Sequence, residues 1–182
     1  MSTDAGRATW RRSFDEVRQA VANNREWSLA LGEPGSALPA FGIHLAVFVN
    51  PFLGYVLDGS KTVESRFSST RCAPYGKVRK DDLLMLKRAG GPVVGLARVR
   101  TVWSYRLNDS SWKLIREQFA EALRAQTPEF WDQRSGAAFA TLMSIDRVLA
   151  VEPVEWEKRD RRGWVVVRSA RQPSLFRGLD DI

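Results

Sequence analysis

Apolar residues at Trp10, Phe14, Val17 and Val21 are spaced by four, three and four, the period of an amphipathic helix, and predict one over 10–26. Turn residues fill 32–40, and Phe41–Val49 follows as an almost unbroken apolar run, the pattern of a buried strand. Asn50-Pro51 supplies an N-cap and a proline for a short helix over 51–58, which Gly59 ends in the left-handed conformation. Lys61–Phe67 reads as a strand. After a loop holding Cys72, Pro74 and Gly76, Asp82–Lys87 and Val93–Trp103 read as strands joined by the Gly90-Gly91-Pro92 turn. Trp112, Ile115, Phe119 and Leu123 predict a helix over 110–125 capped by Asp109 or Ser110, and a second helical piece runs from Pro128 toward Phe139. Strands return at about 140–151 and 163–168, joined by a charged turn over 157–163 that reads as solvated, with Trp164 packed in the last strand. No repeat or low-complexity tract interrupts this order. Strands with helices inserted between them, lacking βαβ alternation, predict an α+β fold built on a small, mostly antiparallel barrel. We divide the chain into an N-terminal helix and linker (1–40), the main domain (41–170) and a C-terminal tail (171–182).

Composition narrows the class. The chain has 182 residues, 44% of them hydrophobic, enough for one packed domain. No apolar run approaches the roughly 20 residues that span a bilayer, and the N-terminus lacks a signal-peptide core, so a soluble, cytoplasmic protein without membrane partners is expected. One cysteine, Cys72, and one histidine, His44, leave no Cys/His metal set, and neither metal nor cofactor is expected. His44 among apolar neighbours reads as packed rather than catalytic, and Cys72 as incidental. The net charge of +7 is unevenly placed: 66–107 holds ten basic residues and two acids, while the rest of the chain is close to neutral. Such a field attracts polyanions, nucleic acid first among them, although a generically basic surface has the same composition.

The candidate chemistry lies at the start of that stretch, in Tyr55 and in Gly59-Ser60-Lys61-Thr62-Val63-Glu64-Ser65-Arg66. On the short helix Phe52, Leu53, Val56 and Leu57 share a face, and Tyr55 points about 130° away from it. Along the strand, alternation puts Thr62, Glu64 and Arg66 on one side and Lys61 with Val63 and Phe67 on the apolar side. A lysine there either escapes at the strand end or lines a polar cavity, because burying an unpaired ammonium is costly. One reading is an ordinary Glu64–Arg66 ion pair with Lys61 reaching water; the other is a site.

The stretch Tyr55 to Arg66 resembles the signature of ASCH domains, in which a short helix leads into G-x-K-x-x-E-x-R, matched here at Gly59, Lys61, Glu64 and Arg66. Lys80-Asp81-Asp82-Leu83-Leu84-Met85-Leu86 resembles the family's next turn and strand, with Asp81 where glycine is common, and Val94–Val99 resembles the strand after it. The resemblance covers roughly 43–168. It implies a PUA-like barrel that binds RNA or another nucleic acid, or a modified nucleoside, in a cleft lined by the motif. On that reading Arg66, Arg71, Lys77, Arg79, Lys80, Lys87 and Arg88 hold phosphates. Lys61, Glu64 and Thr62 then meet a base edge, with Tyr55 stacking or donating a hydrogen bond. Some ASCH proteins resemble metal-independent ribonucleases using a tyrosine and the motif lysine, which match Tyr55 and Lys61; a serine partner has no secure match, Ser144 being a guess. Another branch hydrolyses N4-acetylcytidine with a threonine where Glu64 stands, and Thr62 lies about 7 Å away along the strand. A domain that binds without catalysis is the foremost expectation, with an acidic-protein partner as a further alternative. Trp103, Tyr105 and Trp112 read as core rather than stacking residues, and Tyr75 as a residue of the cleft rim.

Overall fold

A computed structural model describes residues 4–157 and 161–170, so the expectations for 158–160 and for the tail from 171 lie outside the described residues. The single helix expected over 10–26 is two helices, α1 (Asp4–Ala20) and α2 (Arg25–Leu31). The break has a local cause. Asn24 is extended, and its side chain accepts a hydrogen bond from the Trp27 backbone at 3.1 Å, which starts a new helix. The apolar period runs across the break because Phe14, Val17, Val21, Trp27 and Leu31 all enter one core. Arg18 ties this unit together: its guanidinium donates to the carbonyls of Leu31, Ser36 and Ala37 at 3.0, 3.1 and 2.9 Å and to Asp15 at 2.9 Å.

Strand β1 (Ile43–Phe48) is buried on both faces, as its unbroken apolar run requires. Ile43 and Leu45 join the core under α1 and α2, whereas Ala46 and Phe48 join a second core with Leu53 and Val56 of α3 (Phe52–Leu57). The N-terminal helices and α3 therefore cover opposite faces. At the start of α3 the expected Asn50 cap is absent; Pro51 holds the N-cap position with no side-chain hydrogen bond, after a cis Asn50–Pro51 peptide. Gly59, with φ at 78°, turns the chain out of the helix.

The remaining elements are β2 (Val63–Ser68), β3 (Leu83–Arg88), β4 (Val93–Arg106), α4 (Asp109–Leu123), α5 (Pro128–Asp132), β5 (Phe139–Val154) and β6 (Trp164–Arg168). Asn108, rather than Asp109 or Ser110, caps α4 through a reciprocal pair with Ser111, and α5 stops after five residues instead of running toward Phe139. The strands form one sheet in the order β2-β5-β4-β3-β1-β6, with β1 and β3 parallel and every other pair antiparallel. The long β4 and β5 pair through three register shifts. Irregularities of that kind bend a sheet, and this one curls into a half-barrel in an α+β fold. A third core, with Val63, Ile115, Leu123, Phe130, Trp131 and Leu142, seats α4 and α5 against β2 and β5. The two edge strands, β2 and β6, leave an open seam. Among the described residues no helix is long and apolar enough to cross a membrane.

Candidate functional site

Arg66, on edge strand β2, reaches across that seam. Its Nη1 donates to the Gly163 carbonyl, just before β6, at 2.9 Å, and its Nη2 to the Val47 carbonyl of β1 at 3.0 Å. The guanidinium carbon stands 5.1 Å from the ring centre of Phe48 and 5.3 Å from that of Trp164. The Nε lies 2.8 Å from Glu64 Oε1, an ion contact that is not aligned as a hydrogen bond.

Lys61 approaches the same carboxylate from the other side, with Nζ 3.3 Å from Glu64 Oε2, and also donates to the Val63 carbonyl. Its position corrects the alternation argument. Lys61 precedes β2, in a connection held by its own N–H donating to the Tyr55 carbonyl at 2.7 Å and by Thr62 N–H donating to the Ala122 carbonyl at 3.1 Å. Strand parity does not govern it, and the side chain turns to the Glu64 side. Lys61 is 3% exposed and Glu64 4%. Burial pushes the Lys61 ammonium below its ordinary pKa; Glu64 opposes that shift, while Arg66 and Arg134 add to it.

Arg134 is the member that the sequence reading missed. It follows α5, donates from Nη1 to the Phe130 carbonyl at 2.6 Å and lies 3.7 Å over the Phe130 ring. Burial lowers its pKa as well, with Glu64 opposing. Phe130 and Arg134 are four residues apart, a spacing visible in the piece beginning at Pro128; nothing local told which way it faced. Together these groups line a cavity of about 340 Å³ whose apolar walls include Phe48, Phe52 and Phe130. Two cations thus contact one carboxylate and a third lines the same cavity, an excess of positive charge between aromatic walls. Such a site favours an anionic or hydrogen-bond-accepting ligand with a flat apolar part.

The other residues named from sequence are placed differently. Tyr55 does not line the cavity: it meets Phe52 edge-on at 6.3 Å and lies under the Arg124 guanidinium at 5.1 Å. Thr62 is exposed and outside the lining, and Ser144, paired with Val63 across β5, is also outside it. Arg71, Lys77, Arg79, Lys80 and Arg88 are exposed, but Lys87 is buried and its ammonium donates to the Gly91 carbonyl, which removes it from the open basic surface. Tyr75 packs on Phe139 at 5.1 Å on the far side of Arg66. Trp103 meets Phe119, and Trp112 stacks on Phe67 at 5.3 Å, so both serve packing. Tyr105 is half-buried beside the same helices, and burial raises its phenol pKa.

His44 is fully accounted for by structure. Trp164 donates to its Nδ1 at 3.2 Å, which assigns the ring proton to Nε2, 2.9 Å from Asp82 Oδ2. Asp82 further accepts the backbone N–H of Gly42 at 2.6 Å and of Arg79 at 2.8 Å. This buried chain holds Trp164, on which Arg66 rests.

No protein-family model and no curated protein sequence matches the chain. Solved structures do. The ASCH protein of Zymomonas mobilis aligns with a TM-score of 0.51 at 15% identity, over 62% of this chain and 72% of that one. A tyrosine-to-phenylalanine variant of it aligns with a TM-score of 0.51 at 15% identity, over 62% and 74% of the two chains. A serine-to-alanine variant gives 0.52 at 14% identity, over 64% and 76%. The chain therefore has the PUA-like fold of ASCH domain proteins, at an identity that speaks for the fold alone.

Proposed function

We propose that this domain binds RNA, or a modified nucleotide within it, through the cavity at the barrel seam. The observation that carries this reading is the contact of Lys61 and Arg66 with the single carboxylate of Glu64 in a cavity that Arg134 and aromatic side chains also line. The cations attract phosphate, and Lys61 can donate to a base carbonyl. Glu64 is an acceptor for an exocyclic amino group, and Phe52 or Phe130 offers an apolar face to the ring. The likeness to ASCH structures agrees with an RNA-binding PUA-like domain at this coarse level. Binding takes precedence over the ribonuclease alternative because Tyr55 lies outside the cavity that holds Lys61. Over the amidohydrolase it takes precedence because Glu64 occupies the position where that branch has threonine, and Thr62 faces solvent. The acidic-protein alternative rests on the exposed basic side chains alone and draws nothing from the geometry of the cavity.

The test is fluorescence anisotropy of short labelled single-stranded RNA, with chelator present, for the native protein and for Lys61→Met. Salt-sensitive binding weakened about tenfold or more in the variant is the expected result. RNA shortened during the incubation, and left intact by Lys61→Met, would instead establish the nuclease. Absence of salt-sensitive binding to any RNA would overturn the proposal.

A further inference from the structure

Arg66 does more than wall one cavity. The open seam continues past it into a second cavity of about 450 Å³ that shares Arg66 and Phe67 with the first, so two chambers adjoin along that wall. The chambers differ in chemistry. The first holds Lys61, Glu64 and Arg134; the second is walled by Phe67, Pro74, Tyr75, Phe139 and Trp164, with Cys72 among its lining residues. No acidic side chain is among the described residues that line it. Arg71 lies 5.5 Å over the Tyr75 ring, bringing a further positive charge to that side.

Building on the RNA reading of the first cavity, we infer that the second chamber receives the neighbouring base of the same single strand. The ligand is then at least a dinucleotide, and Arg66 lies beneath the phosphate that joins the two bases. Three features select this occupant. The shared Arg66 wall places the chambers side by side, as consecutive units of one chain require. An apolar chamber with aromatic walls and an acid-free lining suits a flat ring attached to an anionic backbone, and base stacking on aromatic side chains tolerates any sequence. Arg66 commits one N–H of each terminal nitrogen to the Gly163 and Val47 carbonyls and its Nε side to Glu64, so two of its five N–H groups remain. Its side chain is 20% exposed and borders both cavities. A mononucleotide fills the first chamber and gains nothing from the second.

Cys72 provides a direct reporter, because it is the single cysteine of the chain, is exposed and lines the second chamber. The experiment compares 5′-phosphorylated homodinucleotides of the four ribonucleosides with the matching 5′-mononucleotides. Binding is measured by calorimetry, and Cys72 alkylation by iodoacetamide is followed by mass spectrometry. The expected outcome has three parts. At least one dinucleotide binds about tenfold more tightly than its mononucleotide. That dinucleotide, and not the mononucleotide at equal saturation, slows alkylation severalfold. Tyr75→Ala abolishes the tenfold gain and leaves mononucleotide affinity unchanged.

A dinucleotide that binds no better than its mononucleotide, or that leaves the alkylation rate unchanged, overturns the two-chamber inference while the first cavity stands. Persistence of the full gain in Tyr75→Ala overturns it too. If neither mononucleotides nor dinucleotides bind, the RNA reading of the first cavity falls and this inference with it. The alkylation arm uses the native chain, so it decides the matter even if Tyr75→Ala fails to fold.

Discussion

Lys61 is nine-tenths or more removed from water, yet has a carboxylate on one side and two guanidinium groups near by. Burial disfavours its charged form more than Glu64 favours it, so its pKa lies below the ordinary 10.5. The sign of the consequence follows from proton counting. Between the lowered folded pKa and the unfolded value, the unfolded chain binds more protons than the folded one, so stability rises with pH across that window. Affinity for an anionic ligand moves the opposite way, because the attracting ammonium is discharged as pH rises through the lowered pKa. We expect RNA affinity to fall at a pH where a solvated lysine would still be charged, and Lys61→Met to show weaker binding without that decline. Anisotropy titrations at fixed ionic strength between about pH 7 and 10.5 check this; parallel profiles for native and variant protein would refute it. Much of this was legible at residue level, since the spacing of Lys61, Glu64 and Arg66 was enough to bring them together. Alternation failed for Lys61 because β2 begins only at Val63, and a residue in the preceding turn is free to send its side chain to either face. The same level explains Asp81, which stands where the ASCH resemblance leads one to expect glycine. Its φ of 69° is left-handed, a conformation glycine adopts freely and aspartate tolerates.

Among the elements, apolar period and turn chemistry located the strands, α3 and α4, because each carries a continuous signal of its own. What they did not disclose is assembly. Arg134 comes from the chain after α5, far in sequence from Lys61, and joins the site only because the third core seats Phe130 beside Phe52 and Phe67. The break between α1 and α2 was hidden for a related reason, since both sides of the turn feed one core and the period survives it. Arg18 is the residue that converts these two short helices into a unit. Replacing it with methionine removes the side-chain donor to the Leu31, Ser36 and Ala37 carbonyls and leaves the Asp15 carboxylate with the Gly35 N–H but without its cation. We expect a loss of about 3 kcal/mol in urea unfolding, the scale for breaking a buried charged hydrogen-bond cluster. RNA affinity of the folded fraction should be unchanged, because α1 and α2 pack on the sheet face opposite α3 and the cavity. A variant that keeps its stability, or that loses binding while folded, would contradict this division of labour.

At the scale of the whole molecule, the positive excess and the seam are parts of one arrangement. The basic stretch 66–107 begins on β2, passes the loop that supplies Pro74 and Tyr75 to the second chamber, and continues through β3 and β4. Not every charge in it is equivalent, as the burial of Lys87 against the Gly91 carbonyl shows. Arg71 lies over Tyr75 of the chamber wall and Lys77 follows two residues after it in the same loop, both exposed, whereas Arg12 is an exposed cation of α1, on the opposite face and beside Glu16. If a single strand follows the seam, neutralising a cation that meets a phosphate reduces the number of counterions released on binding. For single strands the slope of log affinity against log salt is about −0.7 per phosphate contact. Arg71→Gln and Lys77→Gln should therefore each flatten the slope by about 0.7, while Arg12→Gln, with the same change in net charge, leaves it unaltered. Equal flattening by all three would mean that RNA responds to overall charge rather than to a path, and the seam would lose its claim to be that path.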